Sequence, residues 1–291
     1  MRTGNDVDVA EKAEGIIRIA LAEDLGVDGD VTTTAVCPPG ARARAVIVSR
    51  EPCVIAGQLV AAKVFALAGA EVSYDTVVED GGRASGGDTI ARLQGSLAGI
   101  LAGERTALNF LCHLSGIATL TGRLVDVVGR GGVTVMDTRK TTPGLRALEK
   151  YAVRLGGGTN HRRGLFDGVI IKDNHIAAVG GLEAAVRLAR NSLSCRFPIE
   201  VEAATLARVR EAVDAGADII MLDNMDPPAV REAVEIIAGR AKVEVSGGVG
   251  PNNLASYAQL GMDAISMGFI THSAPAADLS LEVYVEEARS T

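Results

Sequence analysis

Residues 199–248 read IEVEAATLARVREAVDAGADIIMLDNMDPPAVREAVEIIAGRAKVEVSGG. This stretch decides the fold class, because three short apolar segments at residues 199–201, 219–222 and 243–245 alternate with longer stretches of helical apolar spacing. A strand, a helix and a second strand in succession are typical of parallel strands joined by helical crossovers. The stretch therefore favours an α/β architecture.

The same alternation continues on both sides of this stretch. Further apolar segments at residues 133–136, 169–171 and 264–267 bring the expected strands to six. Polar residues or glycine follow every segment: Asp137, Lys172, Glu202, Asp223, Ser246 and Gly268. In a (β/α) barrel such strand ends converge on one mouth, whereas an open sheet spreads them along an edge. We therefore predict an incomplete TIM-like (β/α) barrel over residues 116–273.

The first 115 residues follow a different pattern. Helical spacing at residues 9–21, about 58–67 and 97–112 is interleaved with strand-like stretches at residues 41–49, 72–78 and 89–93. We predict an N-terminal α+β domain, sandwich-like in its layering, over residues 1–115.

Composition narrows the function classes. The chain has 291 residues, of which 47% are hydrophobic, and a formal net charge of −7, so nucleic-acid and anionic-membrane partners are not expected. The scattered cysteines form no C-x-x-C pair and are expected to be reduced and buried: Cys37, Cys53, Cys112 and Cys195. Neither an apolar signal-peptide core nor an uninterrupted 18-residue apolar run occurs, which predicts a cytoplasmic enzyme.

Basic residues concentrate between residues 139 and 172, where eight Lys and Arg stand against two acidic residues. Arg146, Lys150 and Arg154 are four residues apart, as on a solvated helix face. The remaining candidates follow strands or the glycine turn at residues 156–158: Arg139, Lys140, His161, Arg162 and Lys172. Their convergence at a barrel mouth predicts a ligand with several carboxylates or phosphates.

Acidic and glycine-rich strand ends complete the expected mouth. Glu202 and Asp223 suit Mg²⁺ beside a phosphate, although charges that complement helix dipoles are the alternative. Ser246-Gly247-Gly248 and the turn at Gly268 suit a phosphate cradle followed by helix N-termini, although ordinary βα turns have the same composition. The histidines show no H-x-x-x-H or H-E-x-x-H spacing, which argues against a histidine-based metal site.

Several long strings carry a resemblance to a known family. They read GERTALN at residues 103–109, MDTRKTTPG at 136–144, GGGTNHR at 156–162, IKDNH at 171–175 and MLDN at 221–224. The chain resembles nicotinate-nucleotide pyrophosphorylase (carboxylating), that is, the quinolinate phosphoribosyltransferase family, over nearly its whole length.

The resemblance implies a reaction and an assembly. Phosphoribosyl would pass from 5-phosphoribosyl-1-pyrophosphate to quinolinate with Mg²⁺, giving nicotinate mononucleotide, pyrophosphate and CO₂ in NAD biosynthesis. The fold would comprise an α+β domain, an open barrel, and a segment at residues 274–291 that returns to the first domain. A homodimer is implied in which Arg105 enters the partner's site, and assembly of dimers into hexamers is left open.

The resemblance also assigns roles by position. The carboxylates of quinolinate would contact Arg105, Arg139, His161, Arg162 and Lys172. The donor and its metal would contact Lys140, Glu202 and Asp223, and the substrate-binding set also includes Thr138. The 5-phosphate cradle would comprise Ser246, Gly247, Gly248, Met267, Gly268 and Phe269. The catalytic set is Lys140, Lys172, Glu202 and Asp223.

Two other functions remain open at this point. A barrel lyase could form a Schiff base through Lys140 or Lys172, since neighbouring Arg residues would depress a lysine pKa. A molybdenum-locus relative could keep the fold without quinolinate chemistry, although its string at residues 172–175 would be altered, and here that string reads KDNH.

Overall fold

The computed structural model describes residues 4–68, 71–129, 132–192 and 196–285. The chain divides into two compact units. One unit comprises Met1–Gly122, Thr142–Gly157 and Ser273–Thr291, and the other comprises Arg123–Thr141 and Gly158–His272.

Strands and helices alternate along the second unit, and the first unit combines helices with antiparallel strands. The helices are α1 (Gly4–Leu25), α2 (Val31–Val36), α3 (Gln58–Leu67), α4 (Leu97–Val128), α5 (Arg146–Leu155), α6 (Asp173–Val179), α7 (Leu182–Ser192), α8 (Leu206–Asp214), α9 (Pro227–Ile237), α10 (Leu254–Tyr257) and α11 (Phe269–His272). The strands are β1 (Arg42–Ser49), β2 (Cys53–Val54), β3 (Val72–Thr76), β4 (Arg83–Ala84), β5 (Thr89–Ser96), β6 (Thr134–Met136), β7 (Val169–Ile171), β8 (Ile199–Ala203), β9 (Ile219–Asp223), β10 (Lys242–Ser246), β11 (Ala264–Ser266) and β12 (Leu279–Val285).

The first unit is built on an antiparallel sheet in the order β12-β1-β5-β3. In β1, Ala43, Ala45 and Ile47 are buried at alternate positions, so the period-2 pattern of the sequence corresponds to one packed face. The C-terminal strand β12 pairs with β1, with Val46 opposite Glu282. This unit is therefore the expected α+β fold, with residues close to the C-terminus forming an edge of its sheet.

Helix α4 extends well beyond the predicted end at residue 112. It runs without a break to Val128, so the expected domain boundary at residue 115 falls inside a helix. Leu111, Leu114 and Ile117 are fully buried along it, because apolar spacing continues past that point. By length and composition α4 could cross a membrane, but 56% of its most apolar 18-residue window is buried inside the protein, as in a core helix.

The second unit contains a six-stranded parallel sheet in the order β6-β11-β10-β9-β8-β7. From β7 to β11 each strand pairs with the next strand along the chain, and β6, the first strand of this unit, pairs with β11, the last one. This order is typical of a barrel rather than of a doubly wound sheet. Register aligns the carboxyl ends, since Ser246 stands opposite both Asp223 and Ser266. Within the described ranges β6 and β7 do not pair with each other. The predicted incomplete TIM-like barrel is confirmed.

Two expectations about side-chain burial were wrong. Lys150 is only 2% exposed and does not lie on a solvated helix face, because α5 buries the side that carries it and Glu149. Cys53 is buried, but Cys37 and Cys112 are only half-buried; all three are free thiols. Cys195 lies outside the described residues.

Gly116 of α4 allows the C-terminal segment to pass close to the helix. A Cβ at this position would lie 2.1 Å from the carbonyl oxygen of Pro275, and the amide of Ala277 donates to the carbonyl of Cys112 at 2.9 Å. We predict that Gly116→Ala lowers the free energy of unfolding by about 1–3 kcal/mol through overpacking.

Gly15, on the exposed face of α1, provides the matched control. A Cβ there would meet nothing within 4 Å. Gly15→Ala should raise the free energy of unfolding by about 0.5–1 kcal/mol, because alanine costs less backbone entropy in a helix. Urea unfolding of both variants measures the difference, and equal stability of the two variants would contradict the close approach at Gly116.

Candidate active site

A cavity of about 420 Å³ lies at the carboxyl ends of the six parallel strands. Residues from the ends of all six strands, and from the segment between α5 and β7, line it. They include nearly every site residue expected from the sequence: Thr138, Arg139, Lys140, His161, Arg162, Lys172, Glu202, Asp223, Ser246, Gly247, Gly248, Met267, Gly268 and Phe269. The barrel thus brings these side chains together at one mouth, as its strand order requires.

The segment at residues 159–162 is held at the open edge of β6. Thr159 forms an isolated parallel bridge with Met136, so the chain briefly extends the sheet there. The fully buried carboxylate of Asp137 then accepts the amide of His161 at 2.8 Å and the side-chain amide of Asn160 at 2.6 Å. These bonds anchor a segment that lies outside any helix or strand and place its basic residues at the mouth.

Arg162 is held in a crowded cationic environment. Its Nη1 donates to the carbonyl of Gly168 at 3.0 Å. A Cβ on Gly168 would lie 3.2 Å from the Arg162 side chain, which is why this position favours glycine. Burial lowers the pKa of Arg162, and the charge of Arg139 lowers it further. Arg139 and Arg162 therefore repel each other, and an anionic ligand would relieve that repulsion.

Lys172 and Glu202 form an ion pair at the ends of neighbouring strands. The Lys172 amide donates to Nδ1 of His175 at 3.0 Å, which fixes the chain where α6 begins. Glu202 thus contacts one of the cations of the mouth directly. The reason is topological, because β7 and β8 are adjacent. Asp223, at the end of β9, is half-exposed at the same mouth.

Tight turns after β10 and β11 line the cavity opposite β7. Gly247 and Gly248 adopt left-handed φ values of 77° and 65°, and a Cβ on Gly247 would lie 2.6 Å from the Asn224 side chain. A Cβ on Gly268 would lie 2.7 Å from the side chain of Lys140, so this glycine allows the lysine to cross the turn. Since α10 and α11 have four residues each, the expected contribution of helix dipoles to a phosphate site is small, and the backbone N–H groups remain.

Lys140 is fixed through its own backbone. Its amide donates to Oγ1 of Thr138 at 3.0 Å, and its carbonyl accepts from Oγ1 of Thr271 at 2.6 Å. Thr271 is 1% exposed and belongs to α11, which follows β11. The side chain of Lys140 passes close to the glycine turn at Gly268.

Sequence reasoning missed two buried carboxylates next to the site. Oε2 of Glu200 lies 3.3 Å and Oε2 of Glu244 lies 3.5 Å from Nε2 of His161. Burial raises the pKa of Glu200, although its hydrogen bond with His161 opposes that rise. The signal was present in the strand sequences IEVE and VEVS, where polar residues alternate with apolar ones. Attention went to the polar residue at the end of each strand, Glu202 and Ser246, and the glutamate two residues before it was overlooked.

Arg105 is the one expected site residue that does not line the barrel cavity. It is exposed on α4 and lines a smaller cavity of about 190 Å³ in the first unit, together with Glu23, Asp24, Asn109 and His113. The expectation that it acts in a partner's site stays a prediction.

Two family models match consecutive parts of the chain. The family model described as Quinolinate phosphoribosyl transferase, N-terminal domain, matches residues 30–115, and the corresponding C-terminal domain model matches residues 117–282. A probable nicotinate-nucleotide pyrophosphorylase (carboxylating) of Bacillus subtilis is 42% identical over 261 residues, covering 90% of each chain.

Two further relatives agree with this assignment. The nicotinate-nucleotide pyrophosphorylase (carboxylating) of Mycobacterium leprae is 43% identical over 280 residues, covering 94% of this chain and 98% of its own. The crystal structure of NadC from Streptococcus pyogenes superimposes with a TM-score of 0.90 at 41% identity, covering 95% of this chain and 98% of that one. The chain therefore belongs to the quinolinate phosphoribosyl transferase family.

Proposed function

We propose that this protein transfers phosphoribosyl from 5-phosphoribosyl-1-pyrophosphate to quinolinate with decarboxylation, releasing nicotinate mononucleotide, pyrophosphate and CO₂. One observation carries the proposal: a single cavity combines four cations, two carboxylates and two glycine turns. Quinolinate has two adjacent carboxylates and the donor has several phosphates, so the pair of substrates matches that charge pattern. Family membership identifies the acid among possible polyanions.

The acid would bind between the ends of β6 and β7. Arg139, Arg162 and Lys172 come from that side of the mouth, and guanidinium groups hold carboxylates in bidentate geometry. Because Arg139 and Arg162 repel each other, the binding of carboxylates to them is more favourable. This half of the cavity therefore selects a dicarboxylate.

The donor would bind against β10 and β11. Gly247, Gly248 and Gly268 have no side chains that would block a phosphate from their backbone N–H groups, and Ser246 adds a hydroxyl at the end of β10. Lys140 crosses the turn at Gly268 and would neutralise charge on the departing pyrophosphate. The 5-phosphate and the pyrophosphate would thus be held on one side of the mouth.

Mg²⁺ is the proposed cofactor, held by Glu202 and Asp223. These carboxylates end adjacent strands and both reach the cavity, so the donor set is all oxygen, as Mg²⁺ prefers. Glu202 is paired with Lys172, a residue of the acid side. Glu202 would therefore lie between the acid and the donor. When bound, the ion would supply charge neutralisation for the leaving pyrophosphate.

The order of the chemical steps follows from charge. Departure of pyrophosphate leaves positive charge on the ribose ring, and attack by the pyridine nitrogen of quinolinate gives a cationic pyridine ring. The bond from ring carbon 2 to its carboxylate then breaks, CO₂ leaves, and the cationic ring stabilises the electron pair left on that carbon, which takes up a proton. Lys172 would orient that carboxylate, and we propose it as a candidate source of the proton.

The two alternative functions are less well supported. A Schiff-base lysine must be free to attack a carbonyl, whereas the amine of Lys172 is engaged in an ion pair with Glu202. Loss of quinolinate chemistry would be expected with an altered string at residues 172–175, but His175 here accepts from the Lys172 amide and the string is intact.

Location and assembly are proposed with the function. A cytoplasmic enzyme is consistent with the free thiols of Cys37, Cys53 and Cys112. We propose a homodimer in which Arg105 enters the partner's cavity, and dimers could pair further into hexamers.

The function is tested by end-point assay of the purified protein for nicotinate mononucleotide. We expect conversion of quinolinate that requires both the phosphoribosyl donor and Mg²⁺ and stops when the metal is chelated. Nicotinate should react at least about 100-fold more slowly, because a missing carboxylate leaves a desolvated cation without its partner. Equal turnover of the two acids would contradict the proposal.

The role of Arg105 is tested with mixed dimers. Arg105→Ala and Lys172→Ala homodimers should each be nearly inactive. If Arg105 acts across the dimer, a mixed dimer has one site with both changes and one intact site, so co-refolded mixtures should recover activity. Mixtures that stay inactive despite confirmed subunit exchange would place Arg105 in the site of its own chain.

A further inference from the structure

A second cavity lies inside the barrel, below the mouth. It has a volume of about 340 Å³, and residues that begin strands line it, including Thr134, Ile219 and Lys242. His161 and Arg162 line both this cavity and the one at the mouth. Glu200 and Glu244 face His161 from below, and each is 4% exposed. The proposed reaction gives these two carboxylates no task.

The composition of this cluster resembles a metal site, but its hydrogen bonds exclude that role for the imidazole. Nε2 of His161 and the two carboxylates place potential ligand atoms within 4.8 Å of one another. The backbone N–H of Arg162 donates to Nδ1 of His161 at 2.7 Å. Nδ1 accepts this hydrogen bond and so carries no hydrogen, whereas Glu200 and Glu244 raise the pKa of His161 against the effect of burial and hold its hydrogen on Nε2. Nε2 therefore donates to the carboxylates and has no lone pair for a metal.

Both ring nitrogens of His161 are consequently used within the protein. The side-chain hydrogen bonds reach Glu200 and Glu244 below, and the remaining ring nitrogen holds the amide of the next residue. The sequence analysis expected His161 to hold a substrate carboxylate. The geometry assigns its polar atoms to the support of Arg162 instead.

We propose that Glu200 and Glu244 are positioning residues for the acid subsite, which act through His161 to fix Arg162. The inference rests on the proposed function, since Arg162 is assigned there to a quinolinate carboxylate. It goes beyond that function by giving Glu200 and Glu244, which line the interior cavity, a role that the proposed reaction does not itself require.

The support reaches Arg162 along two routes. The first is the hydrogen-bonded chain from the carboxylates through the imidazole to the Arg162 amide. The second is electrostatic, because the charge of Glu200 attracts the guanidinium of Arg162. This attraction partly opposes the lowering of the Arg162 pKa that burial and Arg139 cause. Nε of Arg162 is buried without a hydrogen-bond partner among the described residues, so the guanidinium depends on these supports and on Gly168.

The interior carboxylates also offset the charge at the mouth. Arg139 and Arg162 repel each other, and Asp137 and Glu202 are already engaged elsewhere. Negative charge beneath the segment at residues 159–162 lowers the cost of holding the cations together before substrate arrives. Removal of one carboxylate should therefore weaken acid binding without disturbing the donor side.

The test is a steady-state comparison of Glu244→Gln with wild type. The amide keeps the shape of the side chain and removes its charge, and position 244 is distant in sequence from the proposed metal carboxylates. We expect the KM for quinolinate to rise about tenfold, since small displacements of a positioning group have effects of this order or larger. The KM for the phosphoribosyl donor and kcat should stay within about twofold of wild type.

Asp80→Asn is the matched control. Asp80 is a half-buried carboxylate of the first unit that accepts from the backbone amide of Gln58 at 3.0 Å and from the hydroxyl of Tyr151 at 2.9 Å. Its replacement removes a hydrogen-bonded carboxylate without touching the barrel. The KM for quinolinate should be unchanged in the folded variant, which separates loss of stability from loss of positioning.

The outcomes distinguish this inference from the function on which it rests. Failure of the wild type to convert quinolinate contradicts the proposed function. An active wild type with an unchanged quinolinate KM in Glu244→Gln, or with donor KM altered equally, contradicts the positioning role. If Glu244→Gln does not fold, His161→Asn replaces it, because a shorter amide cannot span the carboxylates and the Arg162 amide together. The same rise in quinolinate KM is expected there, and its absence overturns the inference.

Discussion

The mouth of the barrel must hold several positive charges close together, and much of the surrounding structure compensates for that constraint. Arg139, Lys140, Arg162 and Lys172 line one cavity of about 420 Å³. Like charges in a partly desolvated cavity destabilise the folded state unless fixed anions lie nearby. The protein supplies Glu202 in an ion pair with Lys172 and two carboxylates below His161. An anionic substrate would complete the neutralisation. A ligand with several carboxylates should therefore bind more tightly than one with fewer.

Strand order determines how the charges are distributed around the mouth. The gap between β6 and β7 is flanked by cations, β8 and β9 end in carboxylates, and β10 and β11 end in glycine turns. In the proposed function, the acid, the metal and the donor phosphates would therefore meet in the order in which they must interact. Lys140 connects the two ends of this arc, because it leaves β6 and crosses the turn at Gly268 after β11. A barrel with a different strand order would separate these groups.

Much of this arrangement could be predicted from the sequence, because each strand of the barrel is a short apolar segment followed at once by a polar residue. That pattern locates the strand ends but not the contacts between them, so the pairing of Lys172 with Glu202 was not foreseen. Glu200 and Glu244 were missed because they lie within strands rather than at their ends. Lys150 was misplaced because regular spacing of charges describes a helix face without showing what packs against it. The proposed role of Arg105 involves a second chain, so it came from the family resemblance and not from the pattern of this one chain.

The division of the mouth into an acid side and a donor side is the central claim, and calorimetric titration of quinolinate in the absence of donor tests it most directly. Arg162→Gln should lower quinolinate affinity by at least about tenfold, because a buried carboxylate loses its charged partner. Asp223→Asn should keep affinity within about twofold of wild type, because that carboxylate is proposed to serve the metal and the donor. A large loss of quinolinate affinity in Asp223→Asn, or none in Arg162→Gln, would contradict the claim.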